Sequence, residues 1–319
     1  MLKKITLTLF LFAPLCVRAQ QEQLYTQFAL NKLPLNPGYA GSFASPTLTA
    51  VFRKQWTGIE GAPDAQVVSY HQPTYNNQLG LGGSISRQSI GISNTLTLDM
   101  AFAYKIRMKR GILAVGMQAS VRNFRQNWAD PRIYAIDQND LSIPVQPGSK
   151  FMPNFGTGLY YTAYKDKWYA GIALPRMIRN NTDFSEYGNV FSREVHHVNA
   201  MGGFSSKVND EMTLHTQVLF RYAVGAPFDF ELNTSALLRK KFYGGLTYRA
   251  GGNIKGAGES VDALLGIQAN ENLFFCVSYD IGISRLRKAS NGTVELTARW
   301  WFSPPDDVDG GKIDSGRPF

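Results

Sequence analysis

The chain has little of what several protein classes require. It contains 2 cysteines in 319 residues, too few for a disulfide scaffold or a cysteine-bound zinc cluster. Charged residues make up 18%, less than in most soluble domains. After the first twenty positions there is no apolar run near the roughly 18 residues that a membrane-spanning helix requires. Glycine (30 residues) and aromatic residues (13%) are plentiful, which excludes intrinsic disorder and is typical of large β structures.

The first residues predict a secretory signal peptide. Two lysines near the start precede an apolar run, residues 5–15, and Val17 and Ala19 place small residues where a signal peptidase reads the chain. We therefore expect residues 1–19 to be removed, and the first cysteine with them. The mature chain would keep only Cys276, so it could form no internal disulfide. An exported chain without an apolar helix would have to cross a second membrane as strands.

The middle and the end of the chain alternate between apolar and polar residues. In residues 94–107 every second side chain is apolar, and a short turn at residues 109–111 leads into a further alternating run, as in a hairpin. The same period returns in residues 273–282 and 294–302. Runs of about ten residues have the length of a strand that is tilted across a bilayer.

We count about fourteen candidate strands between Thr47 and Phe302, an even number as in bacterial outer-membrane barrels. They are residues 47–57, 65–72, 78–87, 94–107, 110–122, 154–164, 167–175, 197–207, 211–222, 230–240, 243–250, 260–269, 272–283 and 292–302. Tight turns contrast with two long connections, Arg125 to Met152 and Arg176 to Val195. The sequence predicts an all-β fold, a single transmembrane antiparallel β-barrel in the outer membrane with about 14 strands behind an N-terminal signal peptide.

The expected organisation has four parts. Residues 1–19 are the signal peptide, 20–46 an N-terminal periplasmic segment, 47–302 the outer-membrane β-barrel and 303–319 a polar C-terminal tail. A soluble barrel or sandwich would also alternate. The leader, the length of the runs and the aromatic strand ends favour the membrane barrel.

The formal net charge of +9 has two interpretations. The arginines are scattered over separate strands, which argues against a nucleic-acid surface. In a barrel they must face the lumen, because a basic residue on the lipid face costs about 2–4 kcal/mol near the midplane. The lumen would then favour anion permeation or be packed with ion pairs, and we favour the ion pairs. The basic residues are Arg122, Arg221, Arg239, Arg249 and Arg299, with Asp99, Glu231, Asp262, Asp280 and Glu295 as expected partners.

Signals for catalysis are weak. Ser69 and His71 share a strand face, but the chain has no Gly-x-Ser-x-Gly elbow and no identified third member of a triad. We expect His71 to be a hydrogen-bonding residue of the lumen. His196 and His197 are adjacent and would point to opposite faces of a strand, so they cannot both reach one metal ion. We expect no catalytic residue, no cofactor, no metal site and no enzymatic activity.

Motifs along most of the mature chain resemble one known family. The strings are Tyr25-Thr26-Gln27-Phe28, Leu35 to Ser42, Arg53 to Pro63, Ser69-x-His71-x-Pro73, Leu79 to Gly82, Pro153 to Tyr161, Tyr169 to Pro175 and Ser278 to Asp280. Together they resemble the PorP/SprF family, outer-membrane proteins of the Bacteroidetes type IX secretion and gliding apparatus. We expect the motif residues to set backbone conformation: Asn36, Pro37, Tyr39, Gly41, Arg53, Gln55, Trp56, Gly58, Gly61, Pro63, His71, Pro153, Asn154, Gly156, Gly158, Tyr279 and Asp280.

The resemblance implies a noncatalytic component that supports secretion or cell-surface anchoring of type IX sorting-domain cargo such as adhesins. Its implied partners are that cargo, the periplasmic ring and peptidoglycan-associated components, and outer-membrane lipid, with no nucleic acid. We expect the two long loops to hold cargo outside the cell. The N-terminal segment, residues 21–42, and the short turns would face periplasmic partners. The alternative is an outer-membrane diffusion porin, which would require an open lumen.

Overall fold

Fourteen antiparallel strands close into one barrel in the computed structural model, which confirms the predicted fold. The structure describes residues 27–74, 77–133, 147–164, 167–184, 192–251, 258–283 and 290–303. The predicted signal peptide and most of the polar tail lie outside these residues. The described residues contain no helix long and apolar enough to cross a membrane.

Neighbours around the barrel are also neighbours along the chain, and β1 closes the ring against β14. The strands are β1 (Thr47–Lys54), β2 (Asp64–Pro73), β3 (Leu79–Ile90), β4 (Ser93–Met108), β5 (Gly111–Gln126), β6 (Gly148–Ala163), β7 (Trp168–Leu174), β8 (His197–Lys207), β9 (Met212–Ala223), β10 (Asp229–Leu238), β11 (Phe242–Ala250), β12 (Gly258–Gln268), β13 (Leu273–Gly282) and β14 (Thr293–Trp301). Thr47 lies opposite Trp301, and Lys54 lies opposite Val294. Every strand therefore has a neighbouring strand on both sides.

The barrel is apolar outside and polar inside, as the alternation predicted. On β4 the outward side chains are exposed and apolar, with Met100 66% exposed, while Asp99 and Lys105 of the same strand are buried. The largest fully buried side chains include Arg53, Arg249 and Arg299. A surface of large apolar side chains around a charged interior is stable only when the outside contacts lipid.

The two ends of the barrel differ in their connections. The turns β2–β3, β4–β5, β6–β7, β8–β9, β10–β11 and β12–β13 lie at one end together with Thr47 and Trp301, and we call it the short-turn end. The long connections β5–β6 (residues 127–147) and β7–β8 (residues 175–196) lie at the opposite, long-loop end. In outer-membrane barrels short turns face the periplasm and long loops face outward.

Several predicted strand limits differ from the structure, and two of them have a clear physical reason. β1 ends at Lys54 and not at residue 57, because Trp56 takes a left-handed conformation with φ 49° that no strand continues through. β6 begins at Gly148 and not at residue 154, although it contains a proline, Pro153. Its pairing with β7 starts only at Thr157, so the proline lies on an unpaired edge where its missing amide hydrogen costs no ladder bond.

Candidate functional site

The N-terminal segment lies inside the barrel. Residues 27–46, which we call the plug, cross the lumen before the chain enters β1, and Phe28, Leu30 and Ala40 are at most 1% exposed. The prediction that residues 20–46 form a periplasmic segment is therefore wrong for residues 27–46, while residues 20–26 lie outside the described part. This stretch has no regular apolar period, whereas the polar lumen offers it hydrogen-bond partners on several strands.

Short turns give the plug its local structure. Asn36 precedes a single turn of 3-10 helix, Pro37–Tyr39, and its side-chain Oδ1 accepts a hydrogen bond of 2.9 Å from the amide of Gly38. Asn at the cap and Pro at the first helical position both favour such a turn. Gly41 ends it with φ +64°, a conformation that glycine adopts readily.

Glycines on the wall form the seat on which the plug rests. A Cβ on Gly116 of β5 would collide with the backbone of Gly38, and one on Gly80 of β3 would collide with the backbone of Ala40. On β6, a Cβ on Gly158 would overlap Oδ1 of Asn36. The absence of side chains on these three strands therefore lets the plug backbone approach the wall.

One asparagine fastens the plug to that seat. The Asn36 side-chain nitrogen donates to the carbonyl oxygen of Leu159 on β6 at 3.0 Å and lies 3.5 Å from that of Ile172 on β7. Asn36 is fully buried, so leaving its side-chain amide without these partners would destabilise the folded barrel. The same side chain thus caps the helical turn and joins the plug to two strands.

Aromatic rings fill the space beside the seat. The Tyr39 ring lies 5.3 Å from the ring of Tyr160, 5.2 Å from that of His71 and 5.7 Å from that of Phe43. These separations are typical of favourable edge and tilted ring pairs. His71 is 3% exposed and packs against the Tyr39 and Phe43 rings of the plug. Its surroundings are therefore a cluster of rings, whereas we predicted a hydrogen-bonding residue of the lumen.

Hydrogen bonds attach the plug to the rest of the circumference. The Gln27 amide donates to Oε1 of Glu295 on β14 at 2.9 Å, and the Gln27 side chain donates to Ser278 on β13 at 3.0 Å. Ser69 of β2 donates to Asn31 at 2.8 Å, and Asn199 of β8 donates to the Leu35 carbonyl at 2.9 Å. Lys105 and Arg299 donate to the carbonyls of Gly41 and Leu30. The plug is thereby held from both sides of the lumen.

A belt of buried charges lines the opposite wall, and we call it the ion belt. Arg53 bonds to Glu295 at 2.9 Å and lies 3.7 Å from Asp280. Arg249 lies between three carboxylates, those of Asp280 at 3.4 Å, Glu231 at 3.6 Å and Asp262 at 3.8 Å. Arg221 bonds to Glu231 at 2.8 Å. The belt is therefore Arg53, Arg221, Arg249, Glu231, Asp262, Asp280 and Glu295. Each of its three guanidinium groups and four carboxylates has an opposite charge within 4 Å, in a site where single charges would be costly.

The belt contains most of the lumenal charges that the sequence predicted. Arg239 is an exception, because it lies exposed in the β10–β11 turn with φ 50° and pairs with Glu211 at 3.1 Å. The predicted strand, residues 230–240, is two residues too long, since β10 ends at Leu238. Arg122 pairs at 2.7 Å with Glu194 of the β7–β8 loop. Strand periodicity could not predict this partner, because Glu194 lies in a loop.

Asn154 anchors the long β7–β8 loop to the barrel. Its Oδ1 accepts from the amides of Met177 and Ile178, both at 2.9 Å, and its Nδ2 donates to the Ile178 carbonyl at 2.7 Å. Its Nδ2 also lies 3.2 Å from Glu194, which bonds to Arg122. The motif string from Pro153 to Gly158 therefore contacts an outer loop through Asn154 and the plug through Gly158. Gly156 makes room for the Pro175 carbonyl where that loop begins.

The remaining motif residues join loops at the long-loop end. The Gln55 amide donates to the Pro63 carbonyl at 2.9 Å, which closes the β1–β2 loop, and Gly58 and Gly61 turn it with φ of 95° and 70°. The amide of Thr57 donates to the Gly292 carbonyl at 2.8 Å, which ties this loop to the β13–β14 connection. On the adjacent strand, Tyr279 faces lipid and its hydroxyl donates to the carbonyl of Asn291.

Hydrogen bonds and burial shift the pKa values of titratable groups in the outer loops. Hydrogen bonds from Arg132 lower the pKa of Asp130 to about 2. Burial lowers the pKa of Arg176 to about 10, partly opposed by the nearby carboxylate of Glu194. Both groups therefore stay charged at neutral pH and act as fixed charges of the rim.

Sequence reasoning missed the plug as a structural element. Most of its wall contacts pair residues that are more than a hundred positions apart, such as Gln27 with Glu295 and Asn36 with Leu159. One signal could have found it: the turn string around Asn36-Pro37 occurs together with inward-facing glycines at alternate strand positions, and such glycines mark a close backbone approach.

Comparison with known proteins finds one matching family and several barrels of similar fold. The family model described as "Type IX secretion system membrane protein PorP/SprF" matches residues 17–300. No match was found among the curated proteins. Among solved structures, the CymD monoaromatic hydrocarbon channel is 10% identical with a TM-score of 0.50 and covers 89% of this chain and 95% of its own. Acinetobacter baumannii Omp33 is 9% identical with a TM-score of 0.48, covering 81% and 98%.

The two comparisons carry different information. The likeness to CymD, at 10% identity, shows the barrel fold alone. The family match spans the plug, all fourteen strands up to residue 300 and the motif residues described above. The chain belongs to the PorP/SprF family of type IX secretion system membrane proteins and is an outer-membrane β-barrel.

Proposed function

We propose that this barrel is a noncatalytic docking component of the type IX secretion system, which supports secretion or surface anchoring of sorting-domain cargo such as adhesins. It holds cargo at the long-loop end and meets the periplasmic ring and peptidoglycan-associated components at the short-turn end. The observation that carries the proposal is the plug. A lumen filled by the chain's own residues 27–46 and fastened on several strands suits a scaffold better than a conduit.

The loop architecture supports the external role. The β7–β8 loop is fixed at its base by Asn154, and a bridge between Asn181 and Arg193 continues it outward as a narrow stem. Above the bridge, the hydroxyls of Thr182 and Ser192 lie 2.7 Å apart. A loop that is rigid at its base and extends from a stable barrel is a common way to present a specific binding surface.

Quantitative surface proteomics on a deletion strain tests the proposal. Without the protein, one or a few sorting-domain proteins should leave the surface, and re-expression should restore them. An unchanged surface and medium would overturn the proposal.

Loop variants then test where cargo binds. One variant lacks residues 184–190, beyond the Thr182–Ser192 contact, and another lacks residues 135–145 of the β5–β6 loop. A matched control lacks residues 284–289 of the β13–β14 connection. We expect cargo display to fall with either long-loop deletion and to persist in the control, while all three barrels keep their heat-modifiable migration. Normal display in both long-loop variants would refute the loop assignment.

A diffusion porin is the second candidate, and one feature favours it. A cavity of about 50 Å³ near the long-loop end is lined by Pro34 and Leu35 of the plug and by Asp99, Arg122 and Arg221 of the wall. Passage of a solute beyond it would require the plug to leave. Steady conductance of the purified full chain in planar bilayers would favour the porin over the docking component.

A further inference from the structure

The short-turn end carries an excess of basic side chains arranged along an arc. Eight basic and three acidic side chains are exposed in its described turns and in the strand ends next to them, a net charge of +5. The basic residues are Arg107, Lys109, Arg110, Lys167, Lys207, Arg239, Lys240 and Lys241, which we call the basic arc, and the acidic ones are Asp210, Glu211 and Glu271. The arc covers four consecutive turns, from β4–β5 to β10–β11. The described residues of the β12–β13 and β2–β3 turns contain no basic side chain.

Lipid-facing aromatic residues set the depth of the arc in the membrane. Tyr104, Trp168, Phe204 and Phe242 are about half exposed on the outer surface, each within five residues of an arc residue. Aromatic side chains prefer the boundary between hydrocarbon and headgroups. The arc begins where this girdle ends, so its charges lie at headgroup level.

Contacts within the arc show the same placement. The Lys241 ammonium lies 5.8 Å from the centroid of the lipid-facing Phe242 ring, within the range of a cation–π contact. The Tyr164 hydroxyl donates to the Met108 carbonyl at 2.8 Å, which closes the β4–β5 turn onto the β6–β7 turn. The exposed pairs Lys207–Asp210 and Arg239–Glu211 are screened by solvent and do not cancel the excess.

We propose that the basic arc binds the phosphate headgroups of anionic phospholipids in the membrane leaflet at the short-turn end. Three observations favour lipid over an acidic protein. The charges follow the circumference and do not form one patch, each group is next to a lipid-facing aromatic residue, and the short turns keep them at the membrane surface. Basic side chains at this level attract anionic lipid. This inference goes beyond the proposed function and does not depend on it.

Native mass spectrometry of the full chain tests the proposal. The purified protein is incubated in micelles with equal amounts of phosphatidylglycerol and phosphatidylethanolamine, and the lipids that it retains are counted. We expect the wild type to prefer phosphatidylglycerol at least about tenfold, with the preference falling as salt is raised. Equal retention of the two lipids, or a preference that salt does not change, would overturn the proposal.

Variants locate the binding surface. In the arc variant Lys109, Arg110, Lys167 and Lys241 become Gln. The matched control replaces Lys54, Arg87, Arg125 and Arg179 by Gln at the long-loop end, where all four are also exposed. We expect the arc variant to lose most of the preference and the control to keep it. Equal losses in both would refute the assignment.

A charge-conserving variant removes ambiguity about folding. Lys109, Lys167 and Lys241 become Arg, which keeps the charge and should keep the lipid preference.

If the arc variant instead retains lipid normally but loses a co-purifying acidic protein from cell extracts, the arc binds protein and the lipid proposal is wrong.

Discussion

The glycine seat makes a quantitative prediction about the plug. Replacing Gly80 and Gly116 together by Ala places methyl carbons 2.6 Å from the carbonyl carbon of Ala40 and 2.6 Å from the Cα of Gly38. Both obstacles are backbone atoms, so neither can move aside as the end of a flexible side chain would. Overpacking of this kind costs about 1–3 kcal/mol per site, which is about 2–6 kcal/mol for the pair.

That cost is comparable to the contribution of five of the hydrogen bonds between the plug and the wall. Hydrogen bonds between plug and wall include two from Gln27, one each from Asn36 and Asn199, and one from Ser69. At about 1 kcal/mol net each, these five contribute about 5 kcal/mol. We therefore expect either single variant to stay closed and the double variant to release the plug in a measurable fraction of molecules, while the strand ladders remain intact.

Two assays report plug release. Trypsin cleaves after Lys32, which is 2% exposed in the closed barrel, so cleavage there should accelerate in the double variant. Planar bilayers should show new open events of steady conductance. Gly282→Ala is the matched control, because it lies on a strand and its new Cβ meets no atom within 4 Å. A folded double variant that remains closed and uncut at Lys32 would refute the seat.

Three further predictions follow from the charges and loops. Arg249→Met removes the cation that three carboxylates share, so we expect the free energy of unfolding, measured by urea titration, to fall by about 3–5 kcal/mol. The control Arg239→Met, at an exposed turn, should change it by less than about 1 kcal/mol. Equal effects of the two substitutions would disprove the stabilising role of the ion belt. Asn154→Ala should free the β7–β8 loop and accelerate its cleavage by trypsin without unfolding the barrel, and an unchanged cleavage rate would contradict the anchor. The pKa of Asp130 is lowered to about 2. Its ion pair with Arg132 is therefore fully present above the ordinary carboxyl pKa of about 4 and is lost as the pH falls through about 2. If NMR of the carboxyl group shows titration at the ordinary pKa, the ion pair does not form.

Local pattern was sufficient to predict the barrel. Residues such as Leu96 and Met100 on one side and Asp99 on the other repeat with the two-residue period of a strand. The lipid solvent then decides which face turns outward. The number of strands and their order followed from counting such runs, because each neighbour along the chain is also the neighbour in the sheet. The family resemblance likewise rested on residues visible in the sequence.

The tertiary structure alone decided what fills the lumen. Asn36 has no period that points to Leu159, 123 positions away, and Arg122 meets Glu194 only because the β7–β8 loop folds back over the barrel. Strand periodicity reports which face a side chain is on, and it contains no information about which distant backbone approaches that face. The plug required glycines on three strands and hydrogen-bond partners on others to meet in one place, which happens only when the ring of strands has closed.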